Sequence, residues 1–159
     1  MTTIKDKKLS ASMEDYLESI FHLSSAGRVA RSKDIAEQLH VSRASVTGAL
    51  RILSDKDLIH YKPYGSVTLT EKGTAEAGKI VRRHRVLESF FVDILGLDAK
   101  TAKESACRAE HALGQHVVGR LRHYIEFVAQ WDGTQGDMAT EFKQFYGRKS
   151  QPQLPREIQ

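Results

Sequence analysis

Only one of the 159 residues is cysteine, one is tryptophan and three are proline. A single Cys cannot build a disulfide framework, so Cys107 is expected to be free, reactive or a metal ligand. No stretch approaches the ~18 consecutive apolar residues that a membrane span needs. The opening MTTIKDKKLSASMEDYL carries charges but no apolar core of the kind a secretory signal requires. The expectation is a cytoplasmic protein with no membrane partner. Hydrophobic residues at 40% and charged residues at 28% speak against extended disorder. The length suits one ordinary domain or two small ones, on a prior of roughly 100–200 residues per domain.

Excess charge is also scarce: 24 Lys+Arg against 20 Asp+Glu, a net +4, with a pI near 9.2. Its distribution says more than its size. Residues 1–83 hold 14 basic and 10 acidic side chains, while 84–159 hold 10 of each. A basic first half beside a neutral second half suggests a DNA-facing module joined to something else.

Apolar spacing then sets out the elements. Residues 10–25 place Met13, Tyr16, Leu17, Ile20, Phe21 and Leu23 at helical intervals, opened by Ser10 or Ser12 and closed by Ala26-Gly27. Ser32 is expected to cap a short helix with Ile35, Ala36 and Leu39 inward. Ser42 then starts another helix, with Val46, Leu50 and Leu53 on its apolar face. LIHYK (58–62) and SVTLT (66–70), joined by Pro63-Tyr64-Gly65, read as a hairpin. A long helix is expected over 71–95. Asp98 caps a further one, and a third follows Gly114 with Val117, Leu121, Tyr124, Ile125 and Val128 as its stripe. Residues 132–159 read as a loose, flexible tail, with a turn of helix around 141–146.

Helix, tight turn, helix and hairpin make a winged helix-turn-helix. Its second helix must enter the major groove, which is wide enough for one helix. Val41 is expected to anchor the turn to the core. Ser42, Arg43, Ala44, Ser45 and Thr47 face outward near the start of that helix, with Arg51 further along and Lys62 on the wing. Short donors and arginines there reach phosphates and base edges.

The second half carries a different chemistry. Cys107, Glu110 and His111 stand at i, i+3 and i+4, on one helix face. His84 and Glu88 are i and i+4 on the preceding long helix, and Asp15 and Glu18 are i and i+3 on the first. Taken singly, each has an ordinary explanation: a buried small thiol, a solvated helix face, first-turn carboxylates favoured by the helix dipole. Together, carboxylate, imidazole and thiolate form a transition-metal donor set, and a cation offsets the cost of burying the negative charge.

With SMEDYLESI, DIAEQLHVSRASVT, LTEKG, RRHRVLE and ACRAEH in this order, residues 10–131 resemble the diphtheria-toxin-repressor and manganese-transport-regulator family. The resemblance implies a mainly α fold: a winged helix-turn-helix over 1–70, then a helical metal-binding and dimerisation domain over 71–131. It implies a homodimeric metal-dependent repressor of metal-uptake genes on a palindromic DNA operator, and not an enzyme. Asp15, Glu18 and His84 match ligands of the manganese branch, Glu110 and His111 match both branches, and Cys107 matches the iron branch. Glu88 with His84 matches part of a second, iron-type site. That site expects another His where Lys103 stands, and the chain leaves no room for the SH3-like domain that completes it. Manganese(II) is favoured, with iron(II) next. The alternative is a metal-independent winged-helix repressor that senses oxidants through Cys107.

Overall fold

In the computed structural model, which describes residues 9–63, 65–131, 133 and 138–150, several helices start where a side chain can take up their orphan N–H groups. Helix α1 (Ala11–Ser25) is capped by Ser10, whose Oγ accepts from the Met13 N–H at 3.3 Å. Helix α3 (Arg43–Asp55) is capped by Ser42, whose Oγ accepts from the Ser45 N–H at 3.1 Å. Helix α5 (Ala99–Glu110) is capped by Asp98, whose carboxylate accepts from the Thr101 N–H. That hydrogen bonding holds the Asp98 carboxyl below its ordinary value. Its help to α5 is therefore present above the usual carboxylate range and is lost as pH falls through the depressed value. Helix α2 (Ser32–Leu39) departs from expectation: Arg31 is the cap, makes no side-chain cap bond, and Ser32 is already helical.

Two compact units divide the chain, Met1–Arg83 and His84–Gln159. In the first, Leu17, Ile20, Ile35, Val46, Leu50, Leu53 and Val67 are sealed from solvent in one core. Strands β1 (Ile59–Tyr61) and β2 (Val67–Leu69) pair antiparallel, Ile59 opposite Leu69 and Tyr61 opposite Val67, and Ala30 bridges to Val67. At the tip the Gly65 N–H donates to the Lys62 carbonyl at 2.9 Å; Tyr64 lies outside the described residues. Helix α4 (Glu71–Ser89) begins in this unit and runs on into the second. Gly73, in its first turn, lies directly against the Leu58 carbonyl.

The α2–α3 turn is held differently from expectation. Val41 is 37% exposed and is no core anchor. Instead His40 takes a left-handed conformation (φ 54°), and the Val41 N–H donates to the Ala36 carbonyl at 3.1 Å. This is the backbone closure that commonly ends a helix. The turn is tight because the main chain folds back on itself.

In the second unit the long helix expected to reach Leu95 changes pitch. It becomes a π-helical turn at Phe90–Ile94, which packs against α5 and α6 (Gln115–Gln130). Helix α6 buries Val118 and Phe127, while Val117 of the expected stripe is 44% exposed. Phe127 is covered by α7 (Met138–Ser150), which stands where a loose tail was expected. Phe127 meets Trp131, Phe142 and Phe145 with ring centroids 5.5–6.3 Å apart, and Tyr124 meets Phe142 edge-on at 5.1 Å. Such aromatic contacts draw the inward face of α6 toward α7. Residues 134–137 and 151–159, with Pro152 and Pro155, lie outside the described residues. Among the described residues no helix is long and apolar enough to cross a membrane.

Ser42→Ala is expected to cost ~1 kcal/mol, the usual worth of a serine N-cap. A urea titration should show a lower midpoint with an unchanged slope, and an unchanged midpoint would refute the cap's role.

Candidate metal centre and nucleic-acid interface

Helix α5 turns a stripe of Ala102, Ala106 and Glu110 inward at i, i+4 and i+8. Alanine lets the helix approach its neighbours closely, and the same face then carries Glu110 to complete burial, 0% exposed. A carboxylate so placed needs partners. Its Oε2 lies 3.1 Å from His84 Nδ1, and its Oε1 lies 3.5 Å from His111 Nε2. The second contact has the distance of an ion pair but not the geometry of a hydrogen bond. Glu110 Oε1 is thus a buried acceptor with no hydrogen-bond partner. His84 turns its other nitrogen, Nε2, to Glu88 Oε2 at 3.7 Å. His111 is the C-cap of α5 with right-handed helical angles, so it stays in register with Glu110 although the helix has ended.

This arrangement gathers His84, Glu88, Glu110 and His111 in the second unit. Cys107 shares their helix face but not their depth, since it is exposed. Asp15 and Glu18 are half-buried on α1 in the first unit. His22, which the sequence gives no partner pattern, has one: its Nε2 is 3.3 Å from Glu18 Oε1. A buried carboxylate oxygen lacking a donor, with imidazole nitrogens beside it, is the nitrogen–oxygen environment that divalent transition metals occupy. The residues present fit such an ion.

On α3, Ser42, Arg43, Ala44, Ser45 and Arg51 are exposed and Thr47 is half-buried. The Ser42 and Ser45 hydroxyls lie 2.9 Å apart, and the Thr47 hydroxyl donates to the Arg43 carbonyl at 3.0 Å. Their polar atoms are therefore occupied locally. Among the described residues Arg43 and Arg51 have no ion-pair partner, and Lys62 stands exposed on the wing. Exposed cationic side chains of this kind are the type that meets phosphates and base edges in protein–DNA interfaces.

One buried ion pair is not announced by any motif in the sequence. Glu14 on α1 and Arg83 on α4 are 5% and 7% exposed, and their carboxylate and guanidinium meet at 2.5 Å. A signal was present: Glu14 stands three residues before Leu17, and Arg83 stands three after Ile80 and four before Leu87, each at an apolar-stripe position.

Two family descriptions match the chain: iron dependent repressor, N-terminal DNA binding domain, over residues 8–67, and iron dependent repressor, metal binding and dimerisation domain, over residues 70–132. An uncharacterised HTH-type transcriptional regulator of Methanocaldococcus jannaschii is 40% identical, over 74% of this chain and 95% of its own length. The HTH-type transcriptional regulator MntR of Listeria welshimeri is 34% identical, over 73% of this chain and 81% of its own. The solved structure of the manganese regulator SloR superimposes with a TM-score of 0.64 at 32% identity, over 72% of this chain and 53% of SloR. The chain thus spans about half the length of that larger regulator. These relatives lend no support to oxidant sensing through Cys107.

Proposed function

The chain belongs to the diphtheria-toxin-repressor and manganese-transport-regulator family of metal-dependent repressors, and from that premise we propose a cytoplasmic homodimer that binds a palindromic operator when loaded with a divalent transition metal and so controls metal-uptake genes. The observation that carries this reading is Glu110, wholly buried, with one oxygen lacking a hydrogen-bond partner and an imidazole near each oxygen. The proposed ligands are Asp15 and Glu18 from α1, His84 from α4, and Cys107, Glu110 and His111 from α5 and its cap, with Glu88 as a further candidate. When bound, the metal supplies the positive charge that a buried carboxylate needs. Metal loading is how metal level would reach the recognition helices. DNA affinity then falls with the fraction of molecules in the competent state.

Arg43, Arg51 and Lys62 hold phosphates or base edges, and Ser42, Ala44, Ser45 and Thr47 line the same surface. Two recognition helices of a dimer read half-sites about one helical turn, ~34 Å, or a multiple apart. The exposed Val92, Leu95 and Val117 of the second unit support a second copy as partner. Carboxylates favour manganese(II), with iron(II) next, because hard oxygen donors suit these ions while a thiolate draws softer ones. Cys107→Ser is accordingly expected to weaken zinc or cobalt binding by about tenfold while changing manganese binding less than threefold, as measured by competition against a chelating dye. Unchanged zinc and cobalt binding would remove Cys107 from the ligand set.

The test of the whole reading is a gel shift on DNA selected from a randomised pool in manganese(II). Retardation should vanish with excess chelator and return with manganese(II) or iron(II). Equal retardation with and without chelator would refute metal dependence.

A further inference from the structure

We infer that the buried Glu14–Arg83 pair is a positioning device that orients α1, and with it the proposed metal ligands Asp15 and Glu18. The inference rests on the ligand assignment proposed above. Both side chains are almost wholly buried and meet across 69 residues of sequence, entirely within the first unit. Arg83 is the last residue of that unit on α4, and the same helix continues directly into His84. Glu14 immediately precedes Asp15 and lies one helical turn before Glu18. Each half of the pair is therefore the chain neighbour of a proposed ligand.

Stability alone explains the pair poorly. Burying two ions costs solvation that their attraction offsets only with good geometry and full hydrogen bonding, and an apolar pair of similar volume often serves as well. Here the bonding is incomplete: Arg83 Nε is buried with no hydrogen-bond partner. What an ion pair has that an apolar contact lacks is direction. A guanidinium against a carboxylate fixes both the rotation of α1 about its axis and its register along α4. An apolar contact would let either slide by fractions of an ångström, and ligand sets tolerate little of that. Arg83 and Glu14 are positioning residues here and need not touch the ion.

The test uses the whole chain and manganese(II) itself, with affinity read by competition against a chelating dye and folding read by thermal melting. Glu14→Met combined with Arg83→Met is expected to stay folded, to melt near the parent without metal, and to bind manganese(II) at least tenfold more weakly. Unchanged affinity in that folded double variant would overturn the inference and leave the pair a packing feature. If the double variant does not fold, Arg83→Lys decides. It keeps the charge but loses the fork, and is expected to fold and lose affinity about threefold; unchanged affinity there would overturn the inference. Glu110→Gln is measured alongside. If it too leaves manganese(II) binding unchanged, the ligand assignment itself fails and the inference falls with it. If only the Glu14 and Arg83 variants are silent, the assignment stands and the inference alone fails.

Discussion

Glu110→Gln is expected to abolish most of the stabilisation that metal confers while leaving the metal-free protein nearly as stable as before. Glutamine keeps the shape of Glu110 and an acceptor for His84, so the 3.1 Å contact has a replacement. It removes the charge that a buried cation needs, and loss of a direct ligand should weaken binding on the order of 100-fold, at or above the 10–100-fold typical of outer-shell changes. Ligand linkage turns this into a melting experiment. Manganese(II) at 100 times the parent's Kd adds ~2.7 kcal/mol to stability. For a chain of this size that is roughly 5–10 °C in Tm. The same concentration would equal the variant's Kd and add only about 0.4 kcal/mol. The parent should therefore show a large metal-induced shift and the variant almost none, with metal-free melting points within about 3 °C of each other. A variant that keeps the full shift would show that Glu110 is no ligand and that its buried oxygen has another purpose.

Gly73→Ala is expected to destabilise the winged unit by ~3 kcal/mol or more, at the top of the range for overpacking. A Cβ at Gly73 would stand inside van der Waals contact of the Leu58 carbonyl oxygen, with the carbonyl carbon 2.8 Å away. The obstacle is backbone, and it is pinned on every side. The Leu58 carbonyl accepts from the Thr70 N–H at 3.1 Å, and the Leu58 N–H donates to Leu53 at 3.0 Å. The Thr70 hydroxyl, in turn, donates to the Asp57 carbonyl at 2.8 Å and accepts from the Gly73 N–H at 2.9 Å. Relieving the clash means breaking that junction between the third helix, the wing and α4. Gly48→Ala is the control: it sits in the interior of α3 with nothing within 4 Å of a new Cβ. There a methyl group should stabilise by ~0.5–1 kcal/mol through helix propensity and the entropy of the unfolded chain. Opposite signs from the two glycines are the expected result of chemical denaturation; a Gly73→Ala loss below 1 kcal/mol would show that the junction yields.

The elements of both units were legible in the sequence because local physics fixes them. Apolar spacing placed α1, α3 and α6, candidate caps (Ser10 or Ser12, Ser42, Asp98) marked the starts of α1, α3 and α5, and a turn between two β-rich runs placed the wing. Legibility failed where long-range contacts decide. The segment after Trp131 has too few apolar residues in a row to announce a helix, yet Phe142 and Phe145 gain a partner in Phe127 once α6 is in place. Val41 looked like an anchor because it is apolar, whereas the turn is closed by main-chain bonds that no side chain encodes. Candidate donors were readable as residue types at i, i+3 and i+4. Their depths were not, and so Cys107 and Glu110, three residues apart on one helix, end at opposite extremes of burial.

By itself the sequence determined the order of the elements, the place of the positive charge in the winged half and the donor chemistry of the second half. These follow from spacing and composition, which act along the chain. Tertiary structure alone decided that Glu110 is sealed with one oxygen unsatisfied, that Glu14 and Arg83 find each other across 69 residues, and that Gly73 admits no side chain. Burial, pairing and close approach depend on what lies across from a residue, and that is settled only when distant segments pack.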